Sequence, residues 1–199
     1  MTPATGIDLV LASTSRYRRE LLARITPAFR TLAPAVDETP QAGETPASLA
    51  RRLAEAKARA VAANCPHALV IGSDQVADLD GQPIGKPGTA AAARAQLGAA
   101  SGHTLIFHTA ICLIDTRHAP SQVHQECDST RVVFRSLDAD EIARYVAAEQ
   151  PLDCAGSFKA EGLGISLFER IDSSDPTALI GLPLIALARL LRAAGIALP

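Results

Sequence analysis

The chain has 199 residues, 48% of them hydrophobic and 20% charged, and its 19 Lys+Arg against 21 Asp+Glu give a formal charge of −2. That length holds one domain, residues 1–199, with a sizeable core, and the composition excludes a disordered chain. The near-neutral charge excludes a general nucleic-acid surface, so a local basic cluster carries more information.

Residues 7–12 read as an apolar strand that ends in Ser13, Thr14 and Ser15. A helical pattern over 16–25 follows, opened by Arg16, Arg18 and Arg19. A helix N-terminus carries free N–H groups and a partial positive charge. Hydroxyls and guanidinium groups added there make a site for a multiply charged anion. Residues 29–33 read as a second strand and 34–44 as a polar loop, APAVDETPQAG. Thr45-Pro46 has the N-cap and first-position signature of a helix, running to about residue 64. On that helix Leu49, Leu53, Lys57 and Val61 share one face, so a lysine interrupts an apolar stripe. Such a lysine either snorkels to water or turns into a charged site.

Residues 68–71 read as a short buried strand that delivers Asp74 just beyond its C-terminal end, where α/β sheets place their ligands. Segments 76–79 and 82–84 flank Asp80-Gly81, a hairpin signal that returns Lys86 toward the strand end. The alanine-rich stretch 88–99 is helical. Segments 103–115 and 121–135 are two long strands joined by the polar turn TRHAPS. A helix over 137–148, with Asp138 near its start, a strand within 162–171, a loop over 172–176 and a last helix from about 183 complete the chain. Alternating strands and helices with two hairpins predict an α/β fold, a mixed β-sheet flanked by helices. The apolar stretch 178–188 is too short, and too interrupted by Pro183, to cross a membrane. The four cysteines show no C-x-x-C spacing, the five histidines no zinc pattern, and the N-terminus no signal-peptide pattern. A reduced cytoplasmic setting is the expectation.

The segment LASTSRYRRELL, residues 11–22, resembles the opening motif of the Maf family of nucleotide pyrophosphatases, with Arg16 where that motif usually has proline. Gly72-Ser73-Asp74-Gln75 and Gly85-Lys86-Pro87 are similar to the family's next two blocks at ordinary spacing. Val36-Asp37-Glu38, Ala54-Glu55-Ala56-Lys57-Ala58, the 154–162 segment CAGSFKAEG and Ile180-Gly181-Leu182-Pro183 extend the resemblance to about residues 7–192. It implies a Maf-like fold with a central nucleotide-binding cleft, and hydrolysis of a nucleoside triphosphate between its α- and β-phosphates. It also implies a divalent cation, Mg²⁺ or Mn²⁺, and a homodimer; the charge and the short apolar stretch give the expectation of no nucleic-acid polymer and no membrane as partner.

Carried over residue by residue, the resemblance makes Asp74 the general base and Ser13, Arg18, Lys57 and Lys86 the phosphate-binding groups. Glu38 and Asp74 become the metal ligands, and the two carboxylates can exchange the roles of base and ligand. The S-T-S, G-S-D-Q and C-A-G-S-F-K-x-E-G combination resembles the branch that acts on 7-methyl-GTP, with Tyr17, Gln75 and Glu161 at the specificity positions. Methylation at N7 makes guanine cationic, so the Tyr17 face gains a cation–π term of about 0.5–2 kcal/mol. The Glu161 carboxylate can accept the N1–H and the exocyclic amine hydrogens of the base. Tyrosine in place of that branch's frequent tryptophan, and Arg16 in place of proline, bear on selectivity more than on hydrolysis. The alternatives are a dTTP/UTP or other noncanonical nucleotide pyrophosphatase, and a non-hydrolytic nucleotide-binding regulator of cell division.

Overall fold

A computed structural model describes residues 6–198. Seven strands form one mixed sheet in the order β2-β1-β3-β5-β6-β7, with β4 paired to β3. Strand β1 (Asp8–Ala12) lies parallel to both β2 (Arg30–Leu32) and β3 (Ala68–Leu79). Strands β5 (Thr104–Asp115), β6 (Gln122–Phe134) and β7 (Phe168–Asp172) continue the sheet antiparallel from β3. The mixed α/β sheet expected from the sequence is therefore present.

Side-chain alternation sorts the first strands onto two faces. Leu9, Leu11, Leu69 and Ile71 pack with Leu21 and Leu22 of α1 (Arg16–Ala23) and with Leu184, Leu187 and Leu191 of α5 (Leu184–Ala193). Leu49, Leu53, Ala54 and Ala58 of α2 (Pro46–Ala62) pack with Val76, Ala110 and Cys112, and Val10, Ala12 and Val70 gather around Val61. At the far end α3 (Ala90–Ala100) and α4 (Ala139–Glu149) cover the sheet over Phe107 and Phe134. Four phenylalanines, 107, 134, 158 and 168, meet edge to face there, with centroids 4.8–5.6 Å apart. They pin the stretch between α4 and β7.

One sequence expectation needs correction. Asp74 does not follow the end of a short strand. It sits inside β3, which runs unbroken for 12 residues. Its neighbour β1 is the strand that stops, because Ala12 pairs with Gly72 and nothing of β1 extends beyond. Beyond the end of β1, β3 continues into the turn at Asp80-Gly81 (φ +53° and +81°) and back along β4 (Gln82–Ile84). The strand expected within 162–171 is β7, which starts at Phe168 after a 3₁₀ segment over Leu163–Leu167.

Candidate active site

Gly72 sets the geometry of the charged cluster. A Cβ at this position would lie 2.2 Å from the Ala54 carbonyl oxygen and 2.6 Å from the Ala58 amide nitrogen. Only a bare Cα lets helix α2 ride this close to β3. Two residues further along, on the same face of the strand, Asp74 points at the same helix. The Lys57 ammonium meets it there, donating to Asp74 Oδ1 at 2.6 Å. Lys57 also stands 2.6 Å from Glu38 Oε1. The lysine in the apolar stripe therefore does not snorkel, since 6% of it is exposed and it joins two carboxylates. Asp74 Oδ2 takes no hydrogen bond from the described residues.

Glu38 arrives on the 34–44 loop, which α2 tethers through Arg52. That guanidinium donates to Glu44 at 2.6 and 2.8 Å and to the Thr39 carbonyl at 3.1 Å. Desolvation pushes the Glu38 carboxyl up, but the Lys57 hydrogen bond and charge, then Lys86 and Arg18, outweigh it and hold the group below its ordinary value. Lys86 is exposed just beyond β4. Its segment is anchored by Gln96 on the Gly85 carbonyl at 3.2 Å and by the Gly88 amide on the Leu152 carbonyl at 3.0 Å.

Helix α1 supplies the other wall. Ser15 caps it, accepting from the Arg18 amide, and the Ser13 hydroxyl accepts from the Ser15 amide at 3.0 Å. The Arg16 and Tyr17 amides, at the first two helical positions, have no backbone acceptor among the described residues. Arg18 donates through Nε to the Gly181 carbonyl at 2.9 Å, and its terminal nitrogens take no acceptor among the described residues. Burial pulls the Arg18 guanidinium below its ordinary value, against the opposing charges of Asp74 and Glu38. Glu38, Lys57 and Asp74 are thus in direct contact, the Arg18 and Lys86 charges act on Glu38, and Ser13 stands beside them in the chain only as the residue after β1, bonded to the Ser15 amide.

Tyr17 and Glu161 lie in a separate cavity of about 310 Å³ beside α1, with Arg16, Glu149, Lys159 and Ile180 among its lining. Burial first, then Cys154, Asp153 and Glu161, push the Tyr17 hydroxyl up to about 12, so it stays protonated. The Arg16 guanidinium sits 5.2 Å from the Tyr17 ring centroid, so this ring already accepts a cation. Glu161 is exposed and forms no ion pair among the described residues. Gln75 does not line this cavity. It points to the sheet face opposite Asp74 and donates to the Ala178 and Leu179 carbonyls at 2.9 and 3.0 Å, so it reaches the cavity only through the backbone next to Ile180.

Three supports carried no role in the sequence reading. The Gly181 carbonyl (φ +124°) accepts from both Arg18 and the Ser73 hydroxyl. Asp175, 3% exposed, accepts from Thr177 and from the Ile185 amide at the start of α5, which fixes the 175–182 turn. The Arg52–Glu44 pair is the third. Their signal was a buried-type turn, SSDPTALIGLP, and an arginine eight residues from a glutamate, neither specific without coordinates.

The family profile described as "Maf-like protein" matches residues 8–194. A protein of Xanthomonas oryzae pv. oryzae (strain MAFF 311018) called 7-methyl-GTP pyrophosphatase is 62% identical over 96% of this chain and 98% of its own. Proteins of the same name from Aromatoleum aromaticum and Polaromonas sp. are 59% identical over 96% and 97%, and 57% identical over 100% and 89%, of this chain and of their own. A solved structure described as the Staphylococcus aureus Ham1 protein overlays loosely, with a TM-score of 0.48 and 16% identity over 94% of this chain and 99% of that one.

Proposed function

Because this chain belongs to the Maf-like family, we propose that it is a nucleoside triphosphate pyrophosphatase that hydrolyses 7-methyl-GTP to 7-methyl-GMP and diphosphate. The observation that carries the reading is the Lys57 ammonium at 2.6 Å from both Glu38 and Asp74, with the half-buried Arg18 held on the Gly181 carbonyl. A cluster of this kind suits one polyanion whose charge changes during reaction.

Ser13, Arg18, Lys57 and Lys86 bind phosphate oxygens, and the free Arg16 and Tyr17 amides add donors at the same helix end. Asp74 accepts a proton from the attacking water at its unengaged oxygen. The water oxygen bonds to the α-phosphorus, the bond from that phosphorus to the bridging oxygen breaks, and diphosphate leaves with the electron pair. Arg18 and the lysines balance the charge that collects on the leaving group. A divalent cation, Mg²⁺ or Mn²⁺, fits the donor set. Glu38 and Asp74 each give one oxygen to the Lys57 ammonium and keep the second for a hard cation, and no group of three or more His, Cys, Asp or Glu able to hold a metal exists among the described residues. Two carboxylates with substrate phosphates and water completing the shell is how Mg²⁺ is usually held. When bound, the cation supplies charge neutralisation and polarisation of phosphate oxygens.

The base lies in the Tyr17–Glu161 cavity. The ring face supports the cationic purine and the carboxylate accepts its N–H edge, while Gln75 fixes the backbone beside Ile180. We place the reaction in the cytoplasm, in keeping with four free thiols and no helix long and apolar enough to cross a membrane among the described residues. The homodimer of the family resemblance belongs to the same reading.

The test is release of diphosphate from 7-methyl-GTP, GTP, dTTP, UTP and CTP with Mg²⁺ or Mn²⁺. The expected result is a preference for 7-methyl-GTP. A preference for dTTP or UTP overturns the base assignment, and silence across the panel overturns hydrolysis.

A further inference from the structure

The cavity beside α1 holds a second carboxylate, Glu149, the last residue of α4. Its Oε2 accepts the Leu163 amide hydrogen at 2.7 Å. Lys159 donates through Nζ to the Glu149 backbone carbonyl at 3.2 Å and stands 3.6 Å from Oε1. One residue therefore grips the chain at both ends of 159–163. The Lys159 amide adds a third tie to α4 by donating to the Tyr145 hydroxyl at 3.1 Å. Between these ties the backbone lies flat on the carboxylate, because a Cβ at Gly162 would stand 2.6 Å from Glu149 Oε2. Glu149 keeps 16% of its side chain exposed, and its oxygens are committed to the loop. Glu161 sits in the middle of the gripped segment with its own carboxylate uncommitted. The two acids divide the work, one holding the loop and the other left open to a ligand.

We propose that Glu149 is a positioning residue for base recognition, clasping residues 159–163 so that Glu161 faces a base held against Tyr17. This rests on the reading of Glu161 and Tyr17 as the base site. A loop freed from its clasp spends part of its time with Glu161 turned away, and apparent affinity falls by that fraction. The phosphate cluster lies on other elements and is untouched.

The test compares wild type with Glu149→Ala, Glu149→Gln, Gly162→Ala, Glu161→Gln and the double variant Glu149→Ala/Glu161→Gln. Inorganic tripolyphosphate, which has no base, serves as competitive probe of the phosphate cluster. Glu149→Ala and Gly162→Ala should each raise KM for 7-methyl-GTP by about tenfold, from loss of a charge-assisted hydrogen bond and from a clash with the same acceptor. Their kcat should stay within about twofold, and the tripolyphosphate inhibition constant should not move. Glu149→Gln keeps an acceptor for the Leu163 amide and should recover most of the affinity. The double variant should be no worse than Glu161→Gln alone, since both changes disable one contact. An unchanged KM in both clasp variants overturns the proposal, as does a parallel rise in KM and in the tripolyphosphate constant. A wild type that leaves 7-methyl-GTP intact overturns the underlying base reading instead, and is told apart because no KM exists to compare.

Discussion

Replacing Gly72 by alanine tests whether the charged cluster depends on how closely α2 approaches β3. The added Cβ would stand 2.2 Å from the Ala54 oxygen, 2.6 Å from the Ala58 nitrogen and 2.8 Å from the Ala58 Cβ. The first two are backbone atoms, so no side chain can swing away. Relief requires the helix to move out by about 1 Å in a core that packs at crystal-like density. Overpacking of this kind costs about 1–3 kcal/mol, which for a chain of this size lowers Tm by about 3–10 °C. The same displacement carries Lys57, whose 2.6 Å contact to Asp74 would stretch toward a distance at which it is no longer a hydrogen bond. The long lysine stem follows part of the way, so turnover should fall by about ten- to a hundredfold. The control is Gly98→Ala in α3, where a Cβ meets nothing within 4 Å and alanine should raise Tm slightly. Thermal unfolding by circular dichroism and diphosphate release from 7-methyl-GTP read the two effects. A Gly72→Ala protein with unchanged Tm and unchanged kcat would refute the coupling of packing to the site.

Asp74→Asn should lower kcat by at least about a hundredfold while equilibrium dialysis still detects nucleotide. A loss smaller than about tenfold would move the base role to Glu38. Tyr17→Leu should raise KM for 7-methyl-GTP by about 2–30-fold, the value of a cation–π contact, and change KM for GTP less. Equal changes for both nucleotides would show that charge on the base is not read by this ring. The loop tether gives a pH prediction. Arg52, through hydrogen bonds first, draws the Glu44 carboxyl down to about 2 from an ordinary 4.5. Its contribution to stability is therefore present above pH 4.5 and lost as pH falls from there through about 2. In thermal melts between pH 7 and 2, wild type should lose its advantage over Glu44→Gln within that window, and a constant difference would sink the assignment.

Where the physics was local, the sequence was readable. Thr45-Pro46 caps α2 as expected, and Asp138 with Glu141 forms a reciprocal cap on α4. The Asp80-Gly81 turn and both long strands appear within a residue or so of their expected limits. The four-residue spacing of Leu49, Leu53, Lys57 and Val61 placed the lysine on the buried face, but its partners lie on β3 and on a loop, contacts that no periodicity encodes. Asp74 looked like a residue after a strand because Gly72-Ser73 interrupts the apolar run. Gly72 instead serves a helix packed across it, and Ser73 bonds to the Gly181 carbonyl more than a hundred residues away. Gln75 shows the same limit, since its neighbours in sequence say nothing of the 178–179 carbonyls on the opposite face.

Alternation along β3 explains how one strand serves both halves of the cleft. Asp74 faces α2, while Ser73 and Gln75 face the 178–181 turn, so consecutive residues address the charged cluster and the wall of the base cavity. Helix α1 repeats the division in its first turn, with Tyr17 in the cavity and Arg18 among the charges, bonded to the same Gly181 carbonyl as Ser73. A change in the 175–182 turn must therefore act on both ends together. Asp175→Ala leaves the half-buried Ile185 amide, Thr177 amide and Thr177 hydroxyl without their protein acceptor, which loosens the turn they hold. Its expected signature is a joint one, a higher KM for 7-methyl-GTP and weaker inhibition by tripolyphosphate. The Glu149 clasp variants should show the first alone. If Asp175→Ala moved KM and spared tripolyphosphate, the Gly181 carbonyl would not be the hinge between the two halves, and Arg18 would hold its place without it.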